Sequence, residues 1–190
     1  MPPYHILVIN PGSTSTKVAV YEDERPLCVS TIRHTPDELA AYAQIIDQHD
    51  FRRQLVTDWL AQNNIPLRFD AIIGRGGLIK PIPGGVYRVN RKMCFETYYA
   101  LRKHACNLGC ILAYELAKEQ GGGCQAYIAD PVTVDELVPE ARVSGSPLMP
   151  RLAIWHALNQ RAIARRYARQ VGCSYSDLNL IVCHLGGGIS

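Results

Sequence analysis

The sequence predicts an α/β fold, a mixed sheet of five strands with helices packed against it. Three observations carry that expectation. Three β-branched runs, at residues 5–10, 17–22 and 27–32, follow one another too closely for crossover helices, so they open the chain as an antiparallel meander. Two later apolar runs, 70–74 and 125–129, are short and continuous, as buried strands are, and a long helical pattern separates them. One design, an apolar strand running into a polar residue and then a Gly- and Ser-rich turn, occurs near both ends of the chain as NPGSTSTK and HLGGGIS.

The elements follow in order. Asn10-Pro11-Gly12-Ser13-Thr14-Ser15-Thr16-Lys17 turns the first strand into the second, and Asp23-Glu24-Arg25-Pro26 turns the second into the third. Thr35-Pro36-Asp37-Glu38 reads as a helix start, with a threonine N-cap, proline at the first helical position and glutamate at the third. Helical spacing runs through Leu39, Tyr42, Ile45 and Ile46 and resumes at Phe51, Leu55, Val56, Trp59 and Leu60. The strand at 70–74 enters a Gly- and Pro-rich loop from Arg75 to Gly85. Asn90 caps one long helix over residues 91–120, which Gly121-Gly122-Gly123 ends. The strand at 125–129 leads into Asp130-Pro131. The stretch 143–150 lacks periodicity, carries two prolines and marks a domain boundary, giving a first domain at 1–147 and an incomplete second at 148–190. An amphipathic helix at 151–170 and a buried strand at 178–183 follow. The chain stops at Ser190 inside a glycine-rich turn, as a chain cut short would.

Composition excludes more than it selects. A formal net charge of +3 is too small to argue for nucleic acid, and Arg161, Arg165, Arg166 and Arg169 have the spacing of one solvated helix face. No run approaches the roughly 20 apolar residues of a membrane helix, and the N-terminus lacks a signal peptide, so the expected location is the cytoplasm. Seven cysteines, an odd number without a Cys-x-x-Cys pair, suit reduced thiols. Cys106, Cys110 and His104 lack the second ligand pair of a metal site.

The chemistry concentrates in the loops. In the first hairpin Gly12 lets the backbone approach an anion, the hydroxyls of Ser13, Thr14, Ser15 and Thr16 stand beside backbone N–H groups, and Lys17 adds a charge. The Gly-Lys-Ser/Thr ending of a Walker loop is absent and a strand follows, so this is either a plain turn or a phosphate hairpin of another kind. Its echo at HLGGGIS favours a duplicated fold holding one polyphosphate.

Together with Gly74-Arg75-Gly76-Gly77-Leu78, Pro83-Gly84-Gly85, Ala129-Asp130-Pro131-Val132 and His156-Ala157-Leu158-Asn159-Gln160, the two hairpins fall in the order and spacing of a known family. The chain resembles the acetate and butyrate kinases along its whole length, and its Gly-Gly-Leu and His-Ala-Leu-Asn-Gln segments resemble the butyrate branch. The resemblance implies a ribonuclease H-like fold of the actin-like ATPase kind, duplicated, with MgATP and a short-chain acid meeting in the cleft, and a homodimer. It also implies reversible phosphoryl transfer between ATP and butyrate, giving butyryl phosphate and ADP. Acetate, propionate or branched-chain acid kinases, a non-catalytic remnant and an actin-like ATPase are the rival readings. The remaining family parts would lie beyond Ser190, so the 190-residue chain is expected to be inactive alone.

The implied roles are specific. Arg75 matches the family arginine that meets the carboxylate and the transferring phosphoryl group; otherwise it is a loop arginine. His156 matches the histidine that donates to that phosphoryl group; otherwise it is a core residue. Asp130 matches the aspartate near Mg2+, with Asn10 orienting the phosphates or the metal's water; otherwise Asp130 is the turn residue of Asp-Pro. Ser13, Ser15 and Lys17 line the first phosphate hairpin, and His184, Gly186, Gly187 and Gly188 contact the nucleotide phosphates. Acetate kinases carry a second histidine where this chain has Gln160, which can donate a hydrogen bond but brings no charge, consistent with the butyrate branch.

Overall fold

The computed structural model describes residues 2–185, so the expected contacts of Gly186, Gly187 and Gly188 lie outside the described residues. The chain divides into two compact units. The first comprises Met1–Lys80 and Val86–Ala129, the second Pro81–Gly85 and the chain from Asp130 onward.

The first unit is built on six strands in the order β3-β2-β1-β4-β6-β5. β1 (His5–Pro11), β2 (Ser15–Glu22) and β3 (Arg25–Arg33) form the expected antiparallel meander. β4 (Ala71–Arg75) joins β1 in parallel, and β6 (Gln125–Ala129) joins β4 in parallel. The sheet has one strand more than the sequence suggested. β5 (Val86–Arg88) runs antiparallel to β6 at the edge, and three residues after a Pro/Gly loop are too few to display a period of two.

Alternation decides what the sheet buries. Leu7 and Ile9 of β1, Ile72 of β4 and Ile128 of β6 are completely buried. The helix α4 (Cys106–Gln120) contributes Leu108, Leu112 and Leu116 at a spacing of four, all completely buried. Each such side chain contributes about 1.5–3 kcal/mol. Helix α2 (His49–Gln62) adds Val56, Trp59 and Leu60 to the core. The short α1 (Pro36–Ala40) opens with the expected capping box, Glu38 N donating to the Thr35 hydroxyl at 3.2 Å and Thr35 N to the Glu38 carboxylate at 2.7 Å.

The single helix expected over 91–120 is two helices. Asn90 does cap α3 (Arg91–Tyr98), accepting from Met93 N at 3.0 Å, but the helix ends at Tyr98 and α4 starts at Cys106. The cause is tertiary. Buried Asn107 donates to the Arg102 carbonyl at 3.2 Å and accepts from Leu78 N at 3.0 Å, so it bonds both the interhelix segment and the loop after β4.

In the second unit α5 (Ala157–Gln170) is shorter than expected. Trp155 donates from its backbone N to the Val132 carbonyl at 3.0 Å and from Nε1 to the Val134 carbonyl at 2.7 Å, which holds the preceding residues out of the helix. Residues 178–183 form no strand; a strand needs a neighbour to bond to, and the described residues supply none.

Candidate functional site

The first hairpin is anchored on both arms. Asn10 pairs with Lys17 and Pro11 with Thr16 across β1 and β2, and Gly12 N closes the turn on the Ser15 carbonyl at 2.7 Å. Ser13 and Thr14 at the tip are exposed, and so is Lys17. Thr16 departs from expectation. The sequence sets it among the hydroxyls facing an anion, but the period of two turns it inward, and it is completely buried with its hydroxyl 2.9 Å from His34 Nε2. Asn10 Oδ1 is buried and lacks a hydrogen-bond partner among the described residues. An orphaned oxygen of this kind is an acceptor available to a cation's water shell.

Arg75 ends β4, and in the parallel β1–β4 register Asn10 and Arg75 are each the residue after the last pair, Ile9 with Gly74. They therefore occupy the carboxyl ends of adjacent parallel strands, where open α/β sheets bind ligands. The position of Arg75 is fixed by backbone contact. A Cβ on Gly74 would come within 1.9 Å of the Gly109 carbonyl oxygen, and one on Gly109 within 2.4 Å of the Arg75 carbonyl oxygen, so α4 lies directly on the end of β4. Burial pushes the nearby Cys106 thiol up, and the Arg75 charge offsets part of that shift.

The second unit holds Asp130, His156 and His184. Asp130 follows β6 with φ at 37°, a strained value for a non-glycine residue. Its buried Oδ1 accepts from Gly85 N at 2.8 Å and pairs with Arg161 Nη1 at 3.2 Å. Arg161 also binds Glu136, whose other oxygen accepts from Gly84 N at 2.8 Å. Arg161 is thus no part of a solvated face; only 17% of its side chain is exposed. Its signal was the close pairing of Gly84 with Gly85 ahead of an acidic turn: a Cβ on Gly84 would meet Arg161 Nη1 at 1.9 Å. The imidazoles of His156 and His184 stack at 3.9 Å with an interplanar angle of 7°, and Asn159 Nδ2 lies 3.1 Å from His184 Nδ1. Arg165 lies 5.7 Å from the centre of the Tyr175 ring.

One residue went unnoticed in the sequence. Arg52 on α2 is completely buried, with Nη1 3.0 Å from Thr16 Oγ1 and 3.3 Å from the Ser15 carbonyl, and with Nε and Nη2 both donating to Gln48 Oε1. Its signal was available: positions 52, 56, 59 and 60 are one helical stripe, and a charge on an apolar stripe marks a buried polar contact.

No protein-family model matches the chain. It is 63% identical over 185 residues to a probable butyrate kinase of Bacteroides thetaiotaomicron, covering 97% of this chain and 52% of that protein. It is 50% identical over 189 residues to butyrate kinase 1 of Clostridium acetobutylicum, covering 98% of this chain and 53% of that protein. Among solved structures, Porphyromonas gingivalis acetate kinase superposes with a TM-score of 0.67 at 14% identity, covering 98% of this chain and 53% of that one. A propionate kinase from Francisella tularensis superposes with a TM-score of 0.59 at 15% identity, covering 100% of this chain and 53% of that one. The fold is therefore the ribonuclease H-like, actin-like one expected, and the chain spans about half the length of the relatives it matches. Along 97% of its length the chain is a homologue of the butyrate kinases, aligned with their N-terminal half.

Proposed function

We propose that this chain is part of a butyrate kinase, which transfers a phosphoryl group reversibly between ATP and a short-chain carboxylate, with residues 1–147 on the acid side and 148–190 opening the nucleotide domain. The observation that carries the reading is the juxtaposition of the hairpin residue Asn10 and of Arg75 at the ends of adjacent parallel strands. The identity of 63% to a protein named probable butyrate kinase supports it.

A carboxylate is already an anion and needs no general base, so the protein's task is alignment and neutralisation of charge. In this reading the Arg75 guanidinium, planar and permanently charged, takes the carboxylate bidentately. The backbone N–H groups of the turn, the Ser13 and Ser15 hydroxyls and Lys17 hold nucleotide phosphates, as do His184 and Gly186 to Gly188. His156 donates to the transferring phosphoryl group. Asn10 and Asp130 are the residues that would hold Mg2+ by way of water; the orphaned Asn10 Oδ1 fits that demand, whereas Asp130 Oδ1 is taken by Gly85 N and Arg161. Magnesium, when bound, neutralises phosphate charge. The reading also takes the protein as a cytoplasmic homodimer. Its seven cysteines are all free, and among the described residues no helix is long and apolar enough to cross a membrane.

The test is hydroxylamine trapping of acyl phosphate, run on the chain and on the full product of its gene with ATP, Mg2+ and acids of two to six carbons. Butyryl hydroxamate from the full product, with kcat/KM highest near four carbons, is the expected result. Each methylene changes binding by about 1–3 kcal/mol, enough to separate butyrate from acetate and propionate. ATP turnover that no acid stimulates would overturn the reading in favour of an actin-like ATPase.

A further inference from the structure

Among the described residues Arg52 is the largest completely buried side chain, and it is a cation. Its four hydrogen bonds go to neutral oxygens: two to Gln48 Oε1, at 3.0 and 2.9 Å, one to the Ser15 carbonyl at 3.3 Å and one to Thr16 Oγ1 at 3.0 Å. Among the described residues no carboxylate forms an ion pair with it. A buried charge without a counter-charge is costly unless its surroundings make use of it. Burial lowers its pKa only to about 10, so the guanidinium stays charged at neutral pH.

Its placement is specific. The Ser15 carbonyl that accepts from Arg52 is the one that accepts from Gly12 N to close the turn. The preceding carbonyl, Thr14, accepts from His34 N at 3.0 Å. The Thr14 and Ser15 carbonyl oxygens are therefore taken up by protein donors, and amide planarity sends the Ser15 N–H in the direction opposite to the Thr14 carbonyl. The turn, with Ser13 and Thr14 exposed at its tip, is thus backed by a buried positive charge without a counter-charge, an arrangement suited to an anion. The missing negative charge belongs to whatever the turn holds.

We propose that Arg52 is a positioning residue for a polyphosphate at the Gly12–Ser15 turn: it holds the Ser15 carbonyl and the Thr16 hydroxyl on the protein side, and its charge is balanced by the bound anion. The inference deepens the reading of the hairpin as the phosphate site of a kinase and rests on it only for the identity of the nucleotide. Arg52 touches no reacting atom; it acts through Ser15 and Thr16.

The test uses the full gene product with Arg52→Met, Arg52→Lys and Thr16→Val, and Arg53→Met as a control, since Arg53 is the neighbouring, half-buried arginine paired with Glu119. Calorimetry measures Kd for inorganic triphosphate and for MgATP, kinetics gives KM for ATP and for butyrate, and urea unfolding checks the fold. Arg52→Met is expected to weaken both triphosphate and MgATP about tenfold, the loss of one charge-assisted interaction, with KM for butyrate within about twofold of wild type. Arg52→Lys restores part of the loss, Thr16→Val weakens triphosphate in the same direction, and Arg53→Met changes neither. A folded Arg52→Met with wild-type triphosphate affinity overturns the proposal; if that variant does not fold, a Thr16→Val with unchanged affinity does so. A wild type that binds no triphosphate also overturns it. Triphosphate binding that falls in Arg52→Met while no acid yields hydroxamate supports this proposal and overturns the kinase reading.

Discussion

The side chains that matter here are fixed by partners rather than by solvent, and the partners decide what each substitution does. Asp130 is bonded by Gly85 N and Arg161, so Arg161→Met should strip a counter-charge from a buried carboxylate, destabilising the second unit by about 3–5 kcal/mol, as breaking a buried pair does; chemical denaturation measures it. If Arg75 takes the carboxylate as proposed, Arg75→Lys in the full gene product keeps the charge and loses the planar fork, so kcat/KM for butyrate should fall about 100-fold or more in the hydroxamate assay with little change in stability. His34 gives a pH prediction. Burial lowers its pKa, the Arg52 charge lowers it further, and Glu38 opposes both. The unfolded chain then binds a proton that the folded chain refuses, so the stability contributed by neutral His34 is complete above about pH 6.5 and is lost as pH falls through the depressed folded value. His34→Phe should flatten that part of the profile between pH 7.5 and 5.5, read as the difference in Tm between variant and wild type. Glycines, hydroxyls and charges in the loops were legible in the sequence as candidates because their chemistry is local. Arg52 and Arg161 were not, since what makes each important is a partner distant in sequence, Ser15 for one and Asp130 for the other.

Elements were legible where local chemistry sets them and illegible where packing does. The Thr35 capping box and the Asn90 cap were readable from a few residues, and the structure has both. The gap between α3 and α4 was not, because Asn107 creates it by bonding Arg102 and Leu78, and periodicity is blind to tertiary hydrogen bonds. Residues 178–183 show the converse: a strand-like sequence lacks a strand's structure because a ladder is a property of two segments. The contact between β4 and α4 is the element on which the Arg75 position depends. Gly109→Ala places a methyl 2.4 Å from the Arg75 carbonyl oxygen, and backbone rather than a flexible side chain must move. Overpacking of this kind costs about 1–3 kcal/mol, and the rigidity of the obstacle puts it at the upper end. Urea unfolding should show that loss, and kcat/KM should fall with it because Arg75 shifts. Gly121→Ala, where the added Cβ meets no atom but the backbone sits at φ of 67°, should cost stability without altering kcat/KM.

For the whole chain, the two units differ in what each buries. The first has Leu7, Ile9, Ile72, Leu108, Leu112, Leu116 and Ile128 completely inside. From Asp130 onward the buried apolar side chains among the described residues are Val134, Ala153, Ala157, Ala164 and Ala168, four of the five being alanine. Leu148, Met149, Leu152 and Ile181 are exposed, Ile181 by 96%. Stability scales with apolar area removed from water, and alanine removes little. Polar contacts partly take over, through the Asp130–Arg161–Glu136 cluster and the Trp155 bonds to Val132 and Val134, but hydrogen bonds add only about 0.5–1.5 kcal/mol each. The second unit should therefore open at a lower free energy than the first. In native-state hydrogen exchange on the 190-residue chain, amides of β1, β4, β6 and α4 should exchange only through global unfolding, whereas those of α5 should exchange faster and with little dependence on denaturant. Equal protection of α5 and α4 would show that the alanine-lined helix is held by more than its own unit buries, and would overturn the ranking.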